Sequence, residues 1–224
     1  MLVNPFYFSR RGLYLGLQAL CPRLSGDVLD VGCGRKPYLS LVSAKRYVGV
    51  DIDSPVTRSL GVADVLYDGR ILPFPDASFD GVLCSQVLEH VFTPDEFLRE
   101  IGRVLRPGGN LVLAVPFAWD EHEQPWDYAR YSSFGLKALL EKAGFEVIEQ
   151  RKSMPDARAL VQLASAYLYK VTRSRRRWLN AVAQIGLIAP CTVLGGCLAW
   201  LLPANPDLYL DNLVLARKPG PAKA

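Results

Sequence analysis

Two histidines, His90 and His122, and five cysteines with no Cys-x-x-Cys pair are all that 224 residues offer for soft metal ligation. That scarcity argues against a Cys/His metal site, and no metal is expected. An odd thiol count without paired spacing fits reduced cysteines in a cytosolic compartment. The first twenty residues carry Arg10 and Arg11 but no long apolar run with a small-residue cleavage site after it, so no signal peptide is expected. No Gly-Lys-Ser/Thr occurs, which excludes a nucleotide-triphosphate P-loop. Repeats and low-complexity tracts are lacking too. With 50% hydrophobic and 21% charged residues the chain is not disordered, and its length suits one domain with a sizeable core.

The small net charge of +4 conceals an asymmetry. Residues 1–150 carry 15 basic and 19 acidic side chains, a net of −4, whereas residues 151–224 carry 11 and 3, a net of +8. Between Trp178 and Pro206 there is no charged residue at all. A basic cluster followed by a charge-free apolar stretch is unlike the surface of an ordinary cytosolic domain.

Through the first 150 residues short β-type runs alternate with helical segments, the pattern of an α/β sheet. Strands are predicted at 28–31, 47–51, 63–67, 81–84, 110–116 and 145–151, several of them apolar throughout, as strands covered on both faces are. Thr93-Pro94-Asp95-Glu96 predicts a capping box opening a helix with Phe97, Leu98, Ile101, Val104 and Leu105 on its apolar face. Pro107-Gly108-Gly109 should stop that helix and turn the chain into the next strand. Ser132 or Ser133 caps a helix running to Ala143 and closed by Gly144. From Met154 to Pro206 the pattern is helical, and 207–217 returns to a strand.

Val28-Leu29-Asp30-Val31-Gly32-Cys33-Gly34 is an apolar strand entering a Gly-x-Gly turn, where glycine lets backbone approach a ligand closely. Position 37 is proline, so the turn departs from the dinucleotide fingerprint Gly-x-Gly-x-x-Gly. Tyr47-Val48-Gly49-Val50-Asp51 is a second apolar strand, ending in a carboxylate that can accept both hydroxyls of a ribose. Asp68-Gly69 followed by Leu72-Pro73-Phe74, then Ser85-Gln86-Val87-Leu88-Glu89-His90, and Arg106-Pro107-Gly108-Gly109 complete an ordered set.

With these motifs, residues 25–150 resemble the class I S-adenosylmethionine-dependent methyltransferases, in particular a small-molecule branch tied to quinones, cell-surface glycans and lipids. The resemblance implies a Rossmann-like, seven-stranded, mostly parallel sheet with one antiparallel edge strand, and S-adenosylmethionine as cofactor. It implies that Asp30, Gly32 and Gly34 hold the amino-acid end of the cofactor, Asp51 the ribose, Asp68 and Gly69 the adenine, and Ser85 and Gln86 the methionine side. Asp64 competes with Asp68 for the adenine. His90 and Glu89 each have two readings, a group at the reacting centre or a helix-start contact.

The segment 116–131 follows the fifth strand and emerges on the face where such sheets bind ligands. It holds His122, Asp127, Arg130 and Tyr131, side chains suited to orienting a substrate and removing a proton; its plain alternative is an Asp127–Arg130 pair that merely braces a loop. Similar His…Pro-x-Asp…Arg-Tyr loops occur in the glycan- and lipid-associated relatives.

The expected organisation is a cofactor-binding domain of residues 1–153 and 207–218, an apolar, basic helical insert of 154–206 between strands six and seven, and a tail of 219–224. The 24 residues 179–202 match the length of one bilayer span, but Pro190 should break them into two pieces too short to cross. A lid, a monotopic docking element and a buried or dimer-forming helical pair remain open. In the docking case Lys170, Arg173, Arg175, Arg176 and Arg177 meet anionic headgroups and Trp178 sits at the interface, which places the chain peripherally on the cytoplasmic membrane. The basic run has no interleaved aromatics, so nucleic acid is not an expected partner. A cofactor-binding scaffold without turnover is the rival to an enzyme.

Overall fold

A computed structural model describes residues 2–220; of the expected tail, 221–224 lie outside the described residues. The chain forms two compact units. One comprises Gly16–Pro116, Glu121–Arg151 and the chain from Asn212 onward; the other comprises the N-terminal segment through Leu15, Phe117–Asp120 and Lys152–Asp211.

The first unit is built on a seven-stranded sheet of β1 (Ser25–Val31), β2 (Ser43–Ile52), β3 (Val65–Tyr67), β4 (Phe79–Ser85), β5 (Leu105–Pro116), β6 (Glu146–Lys152) and β7 (Asp211–Arg217), in the order β3-β2-β1-β4-β5-β7-β6. Strands β3, β2, β1, β4 and β5 pair in parallel. β7 runs the other way: Lys218 exchanges backbone bonds with Gly108 and Gly109 at the start of β5, while Phe117, just past the end of β5, donates to Leu210. The antiparallel strand therefore lies one place in from the edge, which β6 occupies.

The core explains the apolar runs. Val28, Leu29 and Val31 of β1 and Leu111 to Val115 of β5 are fully buried, as strands covered on both faces must be. The helix α1 spans Tyr7–Leu20 and the short α2 spans Pro55–Leu60; α3 (Pro94–Val104) buries Phe97, Leu98, Ile101 and Val104 at helical spacing. Each such side chain contributes about 1.5–3 kcal/mol when fully buried. In α4 (Ser133–Lys142) the Ser132 hydroxyl caps the Gly135 amide at 3.2 Å, as expected.

Two local expectations fail. Thr93 precedes α3 but its side chain makes no cap bond, the backbone there (φ −114°, ψ 71°) lying outside the extended geometry an N-cap needs. Pro107-Gly108-Gly109 does not end the helix. α3 stops at Val104 and β5 starts at Leu105; the Pro-Gly-Gly triplet instead makes a bulge, over which the register against β4 slips between Phe79–Leu105 and Gly81–Asn110.

The second unit holds α5 (Ala157–Thr172) and α6 (Arg177–Leu201) around a core of Phe8, Met154, Ala159, Val161 and Leu210. Pro190 does not break α6. A π turn over Gln184–Ile188 immediately precedes it, and Gly186, whose carbonyl the proline ring would otherwise strike, lies inside that wider turn. The result is one continuous helix of 25 residues, apolar and mostly exposed. α1 starts without a capping side chain of its own. Gln162 of α5 supplies one: its Oε1 accepts the Phe8 and Ser9 amides at 3.0 and 3.2 Å, and its Nε2 donates to Pro5.

Candidate active site

Four adjacent strands, β3, β2, β1 and β4, end on one edge, and each delivers residues singled out from the sequence. β1 runs out into Gly32-Cys33-Gly34. Gly32 has φ +69°, and a Cβ there would run into Val87; Gly34 has φ +48° with open space around it. The turn is stapled to β2, since Gly32 and Cys33 donate to the Val50 carbonyl and Gly34 donates to Asp51 Oδ2 at 2.9 Å. The other Asp51 oxygen accepts the Ile52 amide at 2.8 Å, leaving lone pairs on both oxygens for a diol. Cys33 is packing rather than chemistry: burial pushes its thiol up to about 12.

Asp30 sits within β1 and is only 4% exposed. Burial pushes its carboxyl up to about 7, against the lowering effects of a 2.6 Å hydrogen bond from the Tyr47 hydroxyl and of Lys36. Of the two adenine candidates, Asp64 precedes β3 and is taken by Lys36 at 2.6 Å and the Gly49 amide at 2.7 Å. Asp68 follows the carboxyl end of β3 and accepts the Arg70 and Ile71 amides, which hold it below the usual carboxylate range; Gly69 beside it has φ +80°. At the end of β4 the Ser85 hydroxyl is buried without a hydrogen-bond partner, and Gln86 adopts φ +59°. In sheet order the edge thus presents Asp68, Asp51, the glycine turn, and Ser85 with Gln86. Three strand spacings cover about 14 Å, which suits an extended ligand with a nucleoside at one end and an amino acid at the other. An orphaned hydroxyl, an open Cβ-free turn and carboxylates on the nucleoside side fit S-adenosylmethionine.

A second cluster lies at the ends of β4 and β5. The 3₁₀ turn Leu88–His90 receives the loop 121–131: Tyr128 and Ala129 donate their amides to the Glu89 carbonyl, and the Trp126 carbonyl meets His90 Nδ1 at 2.8 Å. Asp127 and Arg130 form a two-pronged pair at 2.6 and 2.7 Å, which keeps the Asp127 carboxyl well below the usual range. That pair also orients His122, whose backbone amide donates to Asp127 Oδ2 at 2.9 Å and whose Nδ1 lies 3.3 Å from the same oxygen. The rings of His90 and His122 meet edge to face, 4.8 Å between centroids.

His90, His122, Asp127 and Arg130 therefore come together. Tyr131 does not join them: its ring packs against the core and its hydroxyl points to the Leu88 carbonyl at 3.5 Å. Glu89, fully buried, lies beside His90, with a carboxylate oxygen 3.9 Å from Nε2, and Glu123 approaches the same nitrogen at 3.9 Å. Glu89, His90 and His122 each offer a ligand atom within 4.8 Å of the others. Counting cysteines and histidines overlooks such a mixed set, because a buried glutamate beside a histidine has no metal-motif spacing. The roles of the Trp126 carbonyl and of Glu123 have no sequence signature at all.

Residues 8–150 match the family described as "Methyltransferase domain". A probable S-adenosylmethionine-dependent methyltransferase of Mycolicibacterium smegmatis is 35% identical over 144 residues, covering 58% of this chain and 56% of that protein. The O-methyltransferase rstn1 of Aspergillus nomiae is 32% identical over 146 residues, covering 54% of this chain and 65% of that protein. The chain thus spans little more than half the length of the curated relatives it matches. Among solved structures the [4+2]-cyclase SpnF is similar at a TM-score of 0.55 and 26% identity, over 94% of this chain and 81% of that one.

Proposed function

This chain belongs to the class I S-adenosylmethionine-dependent methyltransferases, and from that premise we propose that it moves the sulfonium methyl of S-adenosylmethionine to an amphipathic, lipid-linked or glycan-related small molecule. One observation carries the reading: the ordered row of Asp68, Asp51, the Gly32–Gly34 turn and Ser85 with Gln86 across four neighbouring strand ends. In it Asp68 and Gly69 receive the adenine, Asp51 accepts the ribose hydroxyls, and Asp30 supplies negative charge toward the methionine ammonium. Methyl transfer is an in-line displacement, so holding donor and acceptor in line is the largest contribution. The cluster of Glu89, His90, His122, Asp127 and Arg130 orients the acceptor and takes up its proton; S-adenosylhomocysteine leaves.

The acceptor's amphipathic character is inferred from two features. Phe92, Trp126 and Tyr128 stand exposed on the sheet unit, the first and last in ring contact at 5.3 Å. The 154–206 insert carries α6, with Trp178 and Trp200 exposed near its two ends and Arg173, Arg175, Arg176 and Arg177 at its start. These exposed aromatics and arginines support a reading in which the insert docks on an anionic membrane surface and the protein is peripheral to the cytoplasmic membrane. Nucleic acid is not part of this reading.

A cofactor-binding, membrane-associated scaffold or regulator without turnover is the second reading; the likeness to a [4+2]-cyclase shows only that this fold is not confined to methyl transfer. Calorimetry with S-adenosylmethionine tests the step common to both, and absence of binding sinks both. Release of S-adenosylhomocysteine on adding bacterial lipid extract supports the enzyme; tight cofactor binding with no release from any lipid or glycolipid fraction supports the alternative.

A further inference from the structure

We propose that Glu89, His90 and His122 bind one divalent transition-metal ion, zinc or a first-row neighbour. Two imidazoles and one carboxylate are a donor set that suits these ions and leaves coordination positions open for other ligands. The three ligand atoms already lie within 4.8 Å of one another. Around an ion with bonds of about 2.1 Å they would sit roughly 3.4 Å apart, a closure within reach of small side-chain rotations.

Tautomers and oxygen donors favour this set. A carbonyl only accepts, so His90 Nδ1, 2.8 Å from the Trp126 oxygen, carries the proton and Nε2 keeps its lone pair. That Nε2 is the nitrogen 3.9 Å from both Glu89 and Glu123. His122 Nδ1 lies 3.3 Å from Asp127 Oδ2 and 3.5 Å from Arg130 Nη2; binding the ion through Nε2 requires the ring proton on Nδ1, directed at the Asp127 carboxylate. A histidine held through its second nitrogen by a carbonyl or carboxylate is the usual outer arrangement of a metal-bound imidazole. Glu89 and Glu123 each bring a carboxylate oxygen to 3.9 Å from His90 Nε2, so oxygen donors surround the nitrogen that faces the ion.

With the ion bound, His122 is a ligand and not a base. The open positions take an oxygen of the acceptor, and the ion lowers the pKa of a bound hydroxyl, whose proton passes to water as the methyl is transferred. That acceptor role rests on the methyl-transfer reading, whereas ion binding does not, and the two are measured separately. The chelator-treated full chain, in a Cys191→Ser/Cys197→Ser background that removes the thiols not buried, is titrated without cofactor. Co²⁺ is followed by its visible bands and Zn²⁺ by calorimetry. The expected result is one ion per chain without a sulfur charge-transfer band. Affinity should fall at least tenfold in His90→Gln and in His122→Gln, and by about 10–100-fold in Asp127→Asn, with unchanged circular dichroism. Binding well below one ion per chain by the folded protein overturns the proposal, as does an affinity indifferent to both histidine variants.

Discussion

The Asp51 carboxylate accepts the Gly34 amide at 2.9 Å, so the end of β2 and the turn that leaves β1 share one hydrogen bond. Asp51 thus braces the turn, and in the proposed site it is also the acceptor for a ribose. Replacing it with alanine removes two charge-assisted bonds to the cofactor diol, each contributing about 1.5–3 kcal/mol. Calorimetry of Asp51→Ala should show S-adenosylmethionine binding at least about a hundredfold weaker. Unaltered affinity would remove Asp51 from the cofactor site.

The two glycines of that turn are expected to separate folding from binding. Gly34→Ala meets no neighbour and costs only the left-handed backbone, about 1–2 kcal/mol, so the protein should fold. Its cofactor affinity should nevertheless fall at least tenfold, because the added methyl occupies the space over which the ligand lies. Gly32→Ala adds a collision with Val87 to the same backbone strain and should lower the melting temperature more. Thermal melts and calorimetry on the pair distinguish a ligand cradle from an ordinary turn.

If Asp30 faces the cofactor ammonium as proposed, cofactor binding should depend on pH. Its carboxyl is raised to about 7, and only the ionised form attracts the ammonium of the cofactor. Affinity should therefore rise roughly tenfold between pH 6 and pH 8, the ratio of ionised fractions about such a midpoint. Stability runs the opposite way. The folded chain holds this proton more tightly than the unfolded chain, so stability falls as pH climbs from about 4 to about 7 and then levels. Asp30→Asn should flatten both profiles; a wild-type affinity that does not change across this range counts against Asp30.

Arg130→Lys keeps the charge but loses the two-pronged grip on Asp127. The loop 121–131 should loosen, seen as faster hydrogen exchange at the Tyr128 and Ala129 amides that reach the Glu89 carbonyl. Once an acceptor is known, KM for it should rise while cofactor affinity stays put. Equal exchange in the two proteins would make the pair dispensable to the loop.

Neutralising Arg173, Arg175, Arg176 and Arg177 to glutamine should abolish flotation with vesicles containing phosphatidylglycerol. Wild-type flotation should weaken steeply with salt, each cation near the surface contributing about 1 kcal/mol. Equal, salt-insensitive flotation of both proteins would argue against headgroup contact.

Much of the sheet was legible because its central strands β1, β4 and β5 are largely apolar, and a glycine turn follows β1. The roles along the row from Asp68 to Ser85 came from the family resemblance, and the strand order then sets those residues side by side. Local signals failed where a longer-range demand prevailed. Pro107-Gly108-Gly109 reads as a helix stop, yet pairing with β4 draws it into a strand as a bulge. Pro190 reads as a break, yet a π turn carries the helix past it. The meeting of His90 with His122 depends on a loop laid down by backbone bonds to Glu89 and Pro116, which no side-chain pattern announces. Nor does sequence show that Gln162 caps a helix begun 154 residues earlier.

That last bond has a consequence for synthesis. The first turn of α1 leaves the ribosome with the Phe8 and Ser9 amides unanswered, and their acceptor follows 154 and 153 residues later. At roughly 5–20 residues per second the delay is about 8–30 s, long against the microseconds in which a helix forms or melts. Until Gln162 arrives, this first turn of α1 is open to chaperones and to proteases. A bulky N-terminal tag should therefore slow maturation of the unit built from α5 and α6 more than that of the sheet.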